Sequence, residues 1–160
     1  MHIGIIVHSQ SGHTAGVAKA IAGKFREAGH DVDIKLLLTT GQMRPGSKRF
    51  TICNAPDDEE IAGFDAILFG GPVWGGRASP VIIEYLTWLK KLDGKKVLSF
   101  VTQAFPWKAL GGNQAIAAMN EDLKASGGDV MPGEILQYFF GVNKAKLDAA
   151  IARIMTNIAG

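Results

Sequence analysis

The stretch Ile3-Gly4-Ile5-Ile6-Val7-His8-Ser9-Gln10-Ser11-Gly12-His13-Thr14 decides the fold. Its first five residues are apolar and rich in β-branched side chains. They lack the polar alternation of a half-exposed strand, so they read as a strand buried on both faces. The polar turn that follows leads directly into a helical period over Thr14 to Ala28. Val17, Ala18, Ile21, Ala22 and Phe25 share one face of it, and Gly29 ends it. A buried strand that passes straight into an amphipathic helix is the opening of a parallel βαβ unit.

The rest of the chain repeats that alternation. Val32 to Leu38 reads as a second strand. Thr39 to Glu60 is polar and carries Gly41, Pro45, Gly46 and Pro56, so it reads as a long loop with a helical turn at Asp57 to Ile61. Ala66 to Phe69 is a third buried strand, closed by Gly70-Gly71-Pro72. Ser79-Pro80 supplies an N-cap and first-turn proline for a helix reaching about Leu89. Val97 to Val101 is the next strand, and Asn113 to Ala125 is a helix that stops before Gly127-Gly128. Val130 to about Leu136 is a last strand, interrupted at Pro132-Gly133. Lys144 to Ile158 closes the chain as a helix with Leu147, Ile151, Ile154 and Ile158 on one face. This order predicts an α/β protein: one doubly wound domain over residues 1–160, with a five-stranded parallel sheet in the order 2-1-3-4-5 and helices on both faces.

Composition narrows the class. The chain of 160 residues is 47% hydrophobic and 20% charged, which suits a folded globular domain and excludes a disordered chain or a coiled coil. A net charge of +2 is too small for a nucleic-acid binder, and no basic stripe recurs on a helix. No apolar run reaches the ~18 residues of a membrane span. The N-terminus reads as free of a targeting signal, and a single cysteine, Cys53, suits a reducing compartment; a cytoplasmic protein is expected. Glycine is the oddity, at 20 of 160 residues against a usual ~7%.

In a doubly wound sheet, ligands bind beyond the carboxyl ends of the strands at the switch point between strands 1 and 3. The loops after strands 1, 3 and 4 should therefore carry the chemistry. The first, Ser9-Gln10-Ser11-Gly12-His13-Thr14, offers hydroxyls, a glycine and the free N–H groups of a helix start, and it contains no Lys or Arg. It reads as a cradle for a phosphate monoester; it also suits an ordinary Ser or Thr helix cap. The second, Gly70 to Pro80, sets Trp74 among four glycines and close to Pro72, which suits a flat ring or a tryptophan lid over the core. The third, Thr102 to Gln114, brings Phe105, Trp107 and Gly111-Gly112 to another helix start. Together they describe a site for a flat, phosphorylated ligand of mononucleotide size.

Ser9 to Thr14 resembles the phosphate loop of the flavodoxin family. Asp65-Ala66-Ile67-Leu68-Phe69-Gly70-Gly71-Pro72-Val73-Trp74-Gly75 is similar to that family's third strand and first flavin-wall loop. Gly111-Gly112-Asn113-Gln114 resembles a loop of flavodoxin-like NAD(P)H:quinone oxidoreductases. The resemblance spans nearly the whole chain, in the short form without an insertion in the last strand. It implies bound FMN and redox chemistry that belongs to the flavin, with no catalytic acid or base. By position it implies that Ser9, Gln10, Ser11, Gly12, His13 and Thr14 hold the phosphate. Pro72, Val73, Trp74, Gly75 and Gly76 would line one side of the ring. Thr102, Gln103, Ala104, Phe105, Trp107, Gly111 and Gly112 would line the other.

Two routes for the electrons stay open: from NAD(P)H or a protein donor to a quinone or other small acceptor, or one at a time between protein partners. Electron-shuttling flavodoxins are strongly acidic, whereas this chain is slightly basic, with Arg44, Lys48 and Arg49 in the long loop. That balance, the 39–60 loop and Gly111-Gly112 favour a reductase. A flavin-free binding module on the same fold is a reading of another class. The four histidines lack metal-ligand spacing, and only His13 lies where it would touch a ligand.

Overall fold

The computed structural model of the chain describes residues 1–41, 43, 46, 48–107, 109–138 and 143–160. Arg44 and Pro45 of the long loop, and Lys108 of the third, lie outside the described residues.

The apolar run at the start forms β1 (His2–Val7), and the turn after it opens α1 (His13–Glu27). β2 (Asp31–Leu36) follows, then the short α2 (Asp58–Ala62). The helical turn expected at the end of the long loop is thus present. Asp57 caps it by accepting from the Glu60 N–H at 2.9 Å, while the Glu60 carboxylate accepts the Asp57 N–H in return. β3 (Ala66–Trp74) turns back through a two-residue β4 (Arg77–Ala78) into α3 (Pro80–Trp88), whose N-cap is Ser79. β5 (Lys96–Gln103), α4 (Gly112–Ala125), β6 (Asp129–Gln137) and α5 (Lys144–Ala159) complete the order.

The sheet runs β2-β1-β3-β5-β6, all parallel, with β4 antiparallel to β3. Without the two-residue β4, this is the order read from the sequence. Two cores cover the two faces. On one, Phe25, Ile21 and Val17 of α1 and Ile151, Ile154 and Ile158 of α5 pack on Ile3, Ile5 and Leu68. On the other, Ile61, Ile82, Tyr85, Met119 and Leu123 from α2, α3 and α4 pack on Ile6, Ile67, Phe69 and Val97. Each fully buried side chain of this kind is worth about 1.5–3 kcal/mol. No described helix is long and apolar enough to cross a membrane.

Three differences from the sequence reading bear on the site. First, the third strand does not stop at Phe69 but runs on through Gly70-Gly71-Pro72-Val73 to Trp74. Gly70 pairs with Val7 and Phe100, and Pro72 pairs with Thr102. These glycines are packing residues: a Cβ on Gly70 would lie 2.3 Å from Phe100 Cζ, and one on Gly71 would lie 2.9 Å from Ile82 Cγ2. Pro72 stands just past the last β1 pairing, so its missing N–H costs no ladder bond there. Second, Gly75-Gly76 is the two-residue turn of a hairpin. Both residues have positive φ, 56° and 78°, as a primed turn matching the twist of its strands requires. Third, Pro132-Gly133 does not break β6 but makes a bulge. The register steps from Leu98↔Met131 to Phe100↔Glu134. The bulge shifts the alternation by one residue, so Met131 and Leu136 face the α1–α5 core while Val130 and Ile135 face the other.

Candidate functional site

The carboxyl ends of β1, β3, β5 and β6 lie along one edge of the sheet, because the strands are parallel. Three contacts tie the expected loops together there. Thr14, in the first turn of α1, shares a 2.8 Å hydroxyl hydrogen bond with Thr102 near the end of β5, and both are buried. Trp74, at the end of β3, meets the His8 ring edge-on, with centroids 5.3 Å apart at 85°. A Cβ on Gly111, the α4 N-cap, would lie 2.6 Å from Gly76 Cα, so the hairpin turn rests directly on the start of α4.

The turn after β1 is the open part. Ser9 Oγ accepts the Ala15 N–H at 3.1 Å, and Gly16 N–H donates to the Gly12 carbonyl at 2.9 Å. Among the described residues, no acceptor meets the N–H groups of Ser11, Gly12, His13 and Thr14. Gly12 has φ 90°, and nothing lies within 4 Å of where its Cβ would be. Gln10, Ser11, Gly12 and His13 are exposed, and the stretch from His8 to Thr14 contains neither Lys, Arg, Asp nor Glu. The result is a cluster of free donors at the positive end of a 15-residue helix, suited to an anion held without a counter-cation. Ser11 Oγ lies 2.8 Å from His13 Nδ1, and the His13 ring stacks on Tyr138 at 4.0 Å and 14°.

The hairpin side is half closed. Pro72 is buried, Val73 and Trp74 are half-buried, and Gly75 and Gly76 are exposed. On the third side, Gln103 Nε2 donates to the carbonyls of Phe105 at 2.8 Å and Trp107 at 3.0 Å. Its Oε1 is buried with no partner among the described residues, facing Gly112, where a Cβ would come within 2.5 Å of it. Gln137 Nε2 donates to the Pro106 carbonyl, and Tyr138 N–H donates to the Gln103 carbonyl at 3.0 Å. The loop backbone is thus fastened, while the Phe105 and Trp107 side chains are 55% and 64% exposed and Ala104 is half-buried.

The expected residues therefore divide. Thr14 meets Thr102, and Trp74 meets His8, the residue before Ser9; Gln10 to His13 form an exposed turn between those two contacts. Thr14 and Thr102 give their hydroxyls to each other, so what Thr14 leaves free is its N–H. Gly111 and Gly112 are buried, and their missing side chains are filled by Gly76, Gln103 and Ile135 rather than left open. The Phe105 and Trp107 side chains are exposed and take no part in these contacts.

Two residues at this edge carried no role in the sequence reading. Tyr138 follows the last strand, a fourth strand end that the rule of carboxyl edges also covers. His8 is 3% exposed, and its Nδ1 lies 2.9 Å from Ser79 Oγ. Burial pushes its pKa down to about 4, so it is neutral at ordinary pH. A histidine directly after a buried strand, where the chain reaches the switch point, was the available signal.

The fold is shared with known proteins. No protein-family model matches the chain. It is similar to a protein of Archaeoglobus fulgidus named NAD(P)H dehydrogenase (quinone), at 29% identity over 126 residues. That match takes in 69% of this chain and 64% of the other, so it spans less than two thirds of the curated relative's length. Among solved structures the chain is similar to oxidised Flavodoxin 2 from Bacillus cereus, with a TM-score of 0.74 and 20% identity over 99% of this chain and 98% of that one. It is also similar to a flavoprotein from Lactobacillus acidophilus NCFM solved in complex with FMN, with a TM-score of 0.64 and 20% identity over 93% and 97%. At such identities the likeness is one of fold, and the chain has the flavodoxin fold.

Proposed function

We propose that this flavodoxin-fold chain, a single domain, binds FMN at the strand-end crevice and passes electrons from NAD(P)H or a protein donor to a quinone or other small acceptor. The observation that carries the reading is the set of N–H groups on Ser11, Gly12, His13 and Thr14 that meet no acceptor among the described residues, in a turn exposed from Gln10 to His13 and tied to the end of β5 by the Thr14–Thr102 bond. The residues fit the group. A monoester phosphate takes several neutral donors and a helix end, which is what the turn offers, and Gly12 leaves the space for it. A flat ring needs an apolar wall, and Trp74 stands half-exposed at the same edge.

The redox chemistry would be the flavin's, which takes up and returns electrons one or two at a time. The chain's own residues bind and orient. Ser9 through Thr14 would hold the phosphate, chiefly through backbone N–H groups. Pro72, Val73, Trp74, Gly75 and Gly76 would form one wall. Thr102, Gln103 and Ala104 would meet the ring edge, and the exposed Phe105 and Trp107 would cover it, with Gly111 and Gly112 letting α4 approach. The named activity of the Archaeoglobus fulgidus relative supports a nicotinamide donor and a quinone acceptor.

The test is to load the protein with FMN and add NADH or NADPH without oxygen. Bleaching of the flavin absorbance is expected. Flavin that stays oxidised, yet is reduced by a protein donor, overturns the nicotinamide route and leaves a carrier between proteins.

A further inference from the structure

We propose that His8 is a positioning residue of this crevice: it braces the Trp74 wall through Ser79 and presents its Nε2–H as a hydrogen-bond donor to the bound flat ligand. The proposal rests on the FMN reading for the ligand, and on the hydrogen-bond geometry of a buried, neutral imidazole for the proton.

The β3–β4 hairpin occupies the side of β3 that β1 vacates. His8 N–H donates to the Gly70 carbonyl at 3.0 Å as the last bond to β1, and two residues further along β3 the Pro72 carbonyl accepts the Ser79 N–H at 2.9 Å. His8 therefore sits under the hairpin, with Ser79 on one side and Trp74 on the other. Ser79 is fully buried. Its Oγ already accepts the Ile82 N–H at 3.3 Å as the cap of α3. A buried hydroxyl proton needs an acceptor, and among the described residues the one within reach is His8 Nδ1, at 2.9 Å. This assigns the bond as Ser79 O–H donating to Nδ1. A neutral imidazole carries one proton, so that proton is on Nε2.

Nε2 has no hydrogen-bond partner among the described residues, and it is not among the fully sealed polar atoms. A side chain that is 97% covered but leaves its one donor unspent, at the switch point of the sheet, is set to meet an acceptor atom on a ligand. Burial favours the neutral form, which keeps both bonds in place across the ordinary pH range.

Nitrogen NMR of wild-type protein labelled with 15N-histidine reads the proton directly, with His8→Gln identifying the resonance. Without flavin, the proton is expected on Nε2; a proton on Nδ1 overturns the assignment. With FMN added, the Nε2–H signal should move; FMN bound without that shift overturns the ligand contact. Protein that takes up no FMN at all overturns the parent reading, and the ligand contact with it, while the proton placement is still decided by the flavin-free spectrum. As a second readout, His8→Phe should weaken the FMN dissociation constant about tenfold, the size of one lost hydrogen bond, while His8→Gln stays within about threefold. Equal affinities in all three proteins, or equal losses in both variants, contradict the proposal.

Discussion

Gly12 lies in the turn after β1 and Gly70 pairs with β1's last residue, Val7, yet the two do opposite things. Gly12 has a positive φ and empty space where a side chain would point, whereas Gly70 has extended backbone with the Phe100 ring pressed against its Cα. The first leaves room for something from outside. The second removes room so that the sheet can carry a phenyl ring across it. Gly111 belongs with the second kind, since Gly76 fills its face. The strand-end edge thus has an open half, the turn after β1, and a closed half, the hairpin with the start of α4. In the open half a substitution should be felt by a ligand, and in the closed half by the fold.

The contrast can be broken from its closed side first. Gly70→Ala should destabilise by about 3 kcal/mol, because the methyl group has no rotamer in which it avoids Phe100 and the sheet must shift. Urea unfolding reads this; a loss below about 1 kcal/mol would mean that the ring moves aside freely.

The buried His8 gives a pH effect of similar size. The unfolded imidazole takes its proton near pH 6.5, and the folded one not until about pH 4. In between, the unfolded chain holds more protons, so this contribution is full above about pH 6.5 and is lost as pH falls, reaching about 3 kcal/mol at pH 4. Unfolding curves at pH 7 and pH 4 should show a smaller fall for His8→Gln than for the wild type. Identical falls would place the pH sensitivity elsewhere.

Thr102→Val removes one half of the buried Thr14–Thr102 bond and should cost about 1–2 kcal/mol. The Thr14→Val/Thr102→Val double variant should recover part of that loss, since two apolar groups leave no orphan hydroxyl. A double variant as unstable as the sum of the singles would show that the pair does not act as a unit.

Gly12→Ala should have the smallest effect on the fold, about 1 kcal/mol for an alanine at positive φ with no clash. Its effect should appear instead as weaker FMN binding with riboflavin binding little changed. Loss of both alike would detach the turn from the phosphate.

Much of this was legible in the sequence because the signals were local. The buried run Ile3 to Val7, the helical faces of α1 and α5, the Ser79-Pro80 start and the strand order all follow from periodicity and capping. The convergence of three loops followed from the order alone. Other features depended on distant partners. Gly70-Gly71-Pro72 carries the composition of a loop, and only the ladders with β1 and β5 make it strand. Pro132-Gly133 reads as a break, yet pairing with β5 absorbs it as a bulge. Thr14 looked like a ligand hydroxyl, but its partner, Thr102, lies 88 residues away. His8 drew no role because its meaning comes from Ser79 and Trp74, neither of which is near it in sequence.

Everything proposed for the site depends on the N–H groups after β1 holding the phosphate of a flavin mononucleotide. Titration of the protein with FMN and with riboflavin, followed by flavin fluorescence, tests it most directly. One FMN should bind per chain, quenched on binding, and riboflavin should bind more weakly by at least about tenfold, the worth of one charge-assisted hydrogen bond. Equal affinity for the two flavins, or no uptake of either, would contradict it.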